Sequence, residues 1–187
     1  MKSLKFKNTN QRGITLIEVS IGLIIAAIVA AAAYIAFSQN ARRQQAQENS
    51  TVVTNMMAEL KAKFGSSGGY AEFTTTPATG TTLAINSLVV PKELVSTVAG
   101  VTTAKNSYGG VITIAADAAA GDNAVITYPA VPKEQCVDLV IAAGKGARDI
   151  SVNTVAVMTA GVLTVASAST ECAKVASSSL VFTVPKS

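Results

Sequence analysis

The residues best placed to do chemistry lie in one octet, Gln11-Arg12-Gly13-Ile14-Thr15-Leu16-Ile17-Glu18. A basic segment ends at a glycine, an apolar run begins, and one carboxylate stands five residues into it. From Ile14 to Phe37 there are 24 residues, and Glu18 is the only charge among them. An acid at the centre of a bilayer costs about 2.5–3.5 kcal/mol on insertion scales, so Glu18 asks for a functional reason. Other chemistry is sparse. The chain has no histidine, which removes Ser-His and Cys-His pairs and the most used general base. Asp117, Asp122, Asp138 and Asp149 form no calcium-loop pattern and are better read as solvated acids. No constellation supports an enzyme, a metal site or a cofactor.

Cys136 and Cys172 are the only cysteines. In an exported domain an even count argues for a disulfide, here closing a loop of about 36 residues and contributing roughly 4 kcal/mol on the chain-entropy account. Unpaired thiols are the alternative. A zinc site would be short of ligands without histidine, and the spacing is nothing like Cys-x-x-Cys.

The elements that carry these residues follow from pattern. At about 1.5 Å per residue the run 14–37 spans roughly 36 Å, enough to cross a hydrocarbon core of about 30 Å. The preceding segment 1–13 carries Lys2, Lys5, Lys7 and Arg12 and no acid, against Arg42 and Arg43 beyond the span, which orients the leader to the cytoplasm. It also holds the whole charge imbalance: of 15 bases and 11 acids, the remainder keeps 11 of each. Bulk electrostatics therefore gives no argument for nucleic-acid binding. A secretory signal peptide cut within Ala30-Ala31-Ala32-Ala33 and a plain membrane anchor are the competing readings. The length of the apolar run and the placement of Glu18 resist the first.

Residues 38–64 contain no Pro or Gly and are rich in helix formers. Val52/Val53, Met56/Met57, Leu60 and Phe64 recur at the spacing of one buried helical face. The pattern predicts one helix from about 14 to 64, near 76 Å long, apolar all round at first and amphipathic afterwards. A small domain covers only the second part; the first needs lipid or other copies of itself. Residues 65–187 read as an α+β domain: one mostly antiparallel sheet packed on the second half of the helix. Within it, 65–82 reads as a loop, 92–98 as a short helix ended by Gly100, and 132–144 as a helix with Cys136 facing inward. About five strands are expected, at 111–114, 124–128, 153–158, 162–166 and 180–184, the first two forming a hairpin after the turn Asn106-Ser107-Tyr108-Gly109-Gly110. Thr170-Glu171-Cys172 reads as a loop or one helical turn.

The octet resembles, residue for residue, the prepilin signature of type IV pilins. The resemblance implies cleavage by a prepilin peptidase between Gly13 and Ile14, N-methylation of Ile14, and a role in subunit assembly for Glu18. The long helix, the sheet domain and a disulfide-closed region 136–172 are similar to the same family's plan. Mature length, the 106–110 turn and the helix beginning Glu134-Gln135-Cys136 look most like the type IVb branch, as do Ile14 and Ile35 where the other branch commonly has Phe and Pro. The implied protein is a major pilin, polymerising with its own kind into a filament for adhesion, aggregation or conjugation. The implied route runs from the bacterial inner membrane, through the pilus assembly machinery, to the cell exterior. A minor pilin or a type II secretion pseudopilin is the alternative, and a membrane-anchored periplasmic binding module a third.

Overall fold

The computed structural model describes residues 15–65, 70–73, 75–117 and 121–186. Two compact units divide between Ala41 and Arg42. Helix α1, Leu16–Phe64, is continuous over 49 residues and closes with the Gly65 N–H donating to the Lys61 carbonyl at 2.9 Å. From Thr15 to Phe37 every residue is exposed. In the second unit Ala46, Asn49, Ser50, Val53, Met56, Met57, Leu60 and Phe64 form a buried stripe at three-to-four spacing, as the apolar pattern of 52–64 predicts.

That stripe packs on an eight-stranded, wholly antiparallel sheet. The strands are β1 (Val95–Val98), β2 (Val101–Lys105), β3 (Val111–Ala116), β4 (Asn123–Pro132), β5 (Asp149–Val152), β6 (Val155–Thr159), β7 (Val162–Leu163) and β8 (Ser177–Pro185). Their order is β1-β2-β3-β4-β8-β5-β6-β7, so the C-terminal strand lies in the middle. Alternation along the strands sends Ile112, Ile114, Ile126, Tyr128, Leu180, Phe182 and Ile150 into one core with Val53, Met56 and Leu60. Among the described residues three further α-helices belong to the domain: α2 (Pro77–Asn86), α3 (Lys133–Ala143) and α4 (Val165–Ala173).

The α+β class, the long helix, the 132–144 helix and the β3–β4 hairpin stand as the pattern predicts. Other local readings need correction. The sheet has eight strands, not about five. Residues 92–98 are a single 3-10 turn, Lys92–Leu94, followed by β1. Pro91 and Gly100 bracket that segment like a helix, but Val-Ser-Thr-Val and Val-Thr-Thr are β-rich. Gly100 does not cap a helix; with Ala99, also at positive φ, it makes the two-residue turn of the β1–β2 hairpin. The expected loop 65–82 contains the start of α2. The expected strand 153–158 begins later, because Asn153 and Thr154, both at positive φ, turn the chain between β5 and β6. The expected strand 162–166 stops at Leu163 and gives way to α4, which carries Cys172 on nine residues of helix rather than on a loop or a single turn.

Candidate functional site

Glu18 sits in the first turn of α1, where a carboxylate faces the positive end of the helix dipole. Thr15 precedes the helix and stands three residues before Glu18, the spacing of a capping box. Its Oγ1 donates to Glu18 Oε2 at 3.4 Å, and the Glu18 N–H donates to the Thr15 carbonyl at 2.9 Å. Gly13 and Ile14, the expected cleavage pair, lie outside the described residues. Two hydroxyls further along bond back to the helix: Ser20 Oγ donates to the Ile17 carbonyl at 2.8 Å and Ser38 Oγ to the Ile35 carbonyl at 2.9 Å. Back-bonding of this kind removes hydroxyls from an apolar surround. The helix is long and apolar enough to cross a membrane, with a mean hydropathy of 2.5 in its most apolar window and none of that window buried in the chain. Leu16 is 88% exposed, and Leu23 and Phe37 are also bare.

The second half of α1 is held differently, by a polar network the sequence reading missed. Asn49, buried on the apolar stripe, accepts from Ser107 Oγ at 2.9 Å and from the Tyr128 hydroxyl, while its Nδ2 donates to the Gln45 carbonyl at 2.7 Å. The Tyr108 hydroxyl donates to Gln135 Oε1, and Gln135 Nε2 donates to Gln45 Oε1 at 3.2 Å. The turn that presents Ser107 and Tyr108 is itself fixed by Asn106. Its Oδ1 accepts the N–H of Tyr108 at 3.1 Å and of Gly110 at 2.8 Å, and its Nδ2 donates to the Pro129 carbonyl at 2.6 Å. Burial pushes the Tyr108 hydroxyl up to about 12 and raises that of Tyr128 as well, with Tyr108 adding to the second. The signal was present in the sequence: a polar residue at a position where the helical pattern calls for an apolar one.

Cys136 on α3 and Cys172 on α4 are joined in a disulfide with Cα atoms 5.8 Å apart. It staples two helices that pack on each other and both precede the central strand β8 in the chain. Among the described residues no group of three or more His, Cys, Asp or Glu side chains is arranged to hold a metal. The acids weighed above have local partners: Asp117 accepts from Asn123 Nδ2 at 3.1 Å, Asp122 pairs with Lys186, and Asp149 accepts the Ala160 N–H at 2.7 Å. Asp138 lines a shallow groove with Arg43, Gln47 and Ile141.

The sequence profile described as PilS N terminal matches residues 43–185, most of the chain, and that of the prokaryotic N-terminal methylation motif matches residues 8–34. The chain is a type IV pilin-like protein of the PilS family. The crystal structure of a type IVb pilin from Salmonella typhi is similar at 28% identity and a TM-score of 0.59, covering 71% of this chain and 95% of that one. TcpA, a type IV pilin from the El Tor biotype of Vibrio cholerae, shares the fold at 17% identity and a TM-score of 0.53, over 73% of this chain and 98% of that one. No curated protein sequence matches the chain. The methylation motif and the bare apolar helix fit a membrane-anchored pilin that then enters a pilus.

Proposed function

We propose that the chain is the major structural subunit of a type IVb pilus, polymerising through α1 into a surface filament that serves adhesion, aggregation or conjugation. The observation that carries this reading is the uninterrupted exposure of the apolar stretch Thr15–Phe37 next to a methylation motif. So large an apolar surface is stable in lipid or against copies of itself, and a pilin needs both in turn. A prepilin peptidase cuts between Gly13 and Ile14 and the Ile14 amine is methylated, leaving the head outside the inner membrane. If the helix extends to Ile14 once the leader is gone, the new amine and Glu18 lie about one helical turn apart. Each charge alone is costly in an apolar setting, and pairing offsets part of that cost. An incoming subunit that offers its amine to a neighbour's Glu18 gains both the ion pair and its axial register. The apolar helices leave lipid and pack as the filament core, with Gly22 and the alanines at 26–27 and 30–33 permitting close approach. Among the described residues nothing lies within 4 Å of a Cβ placed on Gly22, which leaves its smallness available for contacts between chains.

Electron microscopy of cells with and without the gene, paired with analysis of the sheared surface fraction, tests the reading. A major pilin is expected to dominate that fraction, and its deletion to remove the filaments. Filaments that persist, with this chain only a trace component, would move it to the minor pilins or the pseudopilins.

A further inference from the structure

Strands β2 and β3 part company soon after they leave their turn. They pair only at Lys105↔Val111 and Ala104↔Ile112. Were the register to continue, Thr103 would face Thr113, Thr102 would face Ile114 and Val101 would face Ala115. Instead a cleft of about 550 Å³ opens, walled by Val101–Ala104 on one side and by Ala78, Thr81 and Thr82 of α2 on the other. Hydrogen-bond parity shows what has been left open. The Asn106 N–H donates to the Gly110 carbonyl at 2.9 Å, so even-numbered residues of β2 turn their backbone groups toward β3. Thr102 N–H and C=O therefore face the cleft.

The matching groups on β3 are taken by α2. The Ile114 N–H donates to Thr81 Oγ1 at 2.9 Å. Gly80 lies against the Ile114 carbonyl so closely that a Cβ at residue 80 would collide with that oxygen. The helix is thus seated on the strand edge where β2 would otherwise continue. Its sequence, Pro-Ala-Thr-Gly-Thr-Thr-Leu-Ala-Ile-Asn, is a weak helix former, with a mid-helix glycine and three threonines. Two of those threonines, Thr81 and Thr82, spend their hydroxyls on the Pro77 and Ala78 carbonyls at 2.6 and 2.9 Å. The helix is held by its seat on β3 more than by its own propensity.

We propose that α2 and β2 compete for one edge of β3, making the β1–β2 hairpin a flap that α2 wedges open. When α2 withdraws, β2 zips onto β3, the Ile114 N–H exchanges the Thr81 hydroxyl for the Thr102 carbonyl, and the cleft closes. The exchange conserves hydrogen bonds, and the hinge is confined to the residues just before Ala104. The hairpin is free to swing because its tip, Val98 to Val101, is exposed.

Disulfide trapping in the full chain, held in detergent micelles, tests this. Val101 and Ala115 form a non-hydrogen-bonded pair in the closed register, where two cysteines meet disulfide geometry. The double variant Val101→Cys/Ala115→Cys is oxidised with copper phenanthroline, and the linked peptides are mapped by mass spectrometry. Lys105→Cys/Val111→Cys, across a pair already formed, is the positive control. The 101–115 link is expected to form slowly in the parent background and about tenfold faster when Gly80→Ala or Thr81→Val unseats the wedge, since the closed population rises accordingly. Thr81→Val removes one hydroxyl without adding bulk and serves if Gly80→Ala fails to fold. A control that links while 101–115 links in no background would overturn the proposal. So would equal rates with and without the wedge variants, or a link found only between two copies of the chain.

Discussion

One helix lives in two environments here. Its residues 15–37 are exposed throughout, whereas Ala46 to Phe64 bury a stripe and tie it with Asn49 to Ser107 and Tyr128. The first stretch is apolar on all sides and lacks any polar device that would fix an angle or a register, apart from Glu18. The second is apolar on one side and carries a buried amide on that side. A uniformly apolar surface can slide and rotate against others like it; a buried polar network permits one register. The lesson is a division of labour. The clamped half fixes the head on the second part of α1; under the function proposed above, the bare half would leave the contacts between subunits to one charge, Glu18.

The largest effect expected from breaking this division is at Glu18. Glu18→Ala is expected to be inserted and cleaved but to give few or no filaments, and Glu18→Asp to retain partial assembly, both counted by microscopy and by sheared yield. Neither should alter the melting of the head. Next is the staple. Cys136→Ser or Cys172→Ser should cost the head about 4 kcal/mol by the loop-closure argument and lower subunit and filament abundance together. Two free thiols in the mature, denatured and unreduced protein would refute the bond itself.

The comparison is sharpest between two leucines on the same helix. Leu60, fully buried, should lose about 2–5 kcal/mol of head stability on truncation to Ala. Leu23, which is 67% exposed, should leave head stability within about 0.5 kcal/mol while weakening assembly. Equal effects on melting would erase the distinction between the two halves.

The smallest effects concern the polar clamp. Asn49→Ala leaves the Ser107 and Tyr128 hydroxyls without their acceptor and should cost about 1–3 kcal/mol. The same network gives an alkaline signature. Tyr108 and Tyr128 ionise at higher pH folded than unfolded, so their contribution is complete below pH 10 and is lost as pH rises through about 12. Melting temperature should fall over that interval, and less so in Tyr108→Phe.

Legibility in the sequence followed the source of each element's stability. Helix α1 was readable because Ile14–Phe37 and Val52–Phe64 carry their own patterns, and α3 because Pro132 and Gly144 punctuate it. The cysteine pair was readable from its count. Helix α2 was not, because Thr79, Gly80, Thr81 and Thr82 read as loop and fold only against Ile114. Strands β1 and β2 were hidden by Pro91 and Gly100, which mimic helix ends, and β5 by the positive φ of Thr154, a conformation a β-branched residue rarely adopts. At the site, Glu18 announced itself by being alone. Asn49 did not, since its partners lie 58 to 79 residues away along the chain.

The central claim is that the bare half of α1 is kept and becomes the core of a filament. Intact mass and N-terminal sequencing of the subunit from sheared filaments tests it most directly. The account predicts a chain beginning at Ile14 with one added methyl group, and unprocessed precursor left in the membrane by Gly13→Val. A mature chain beginning near Tyr34 would mean that the apolar helix is discarded, and would contradict it.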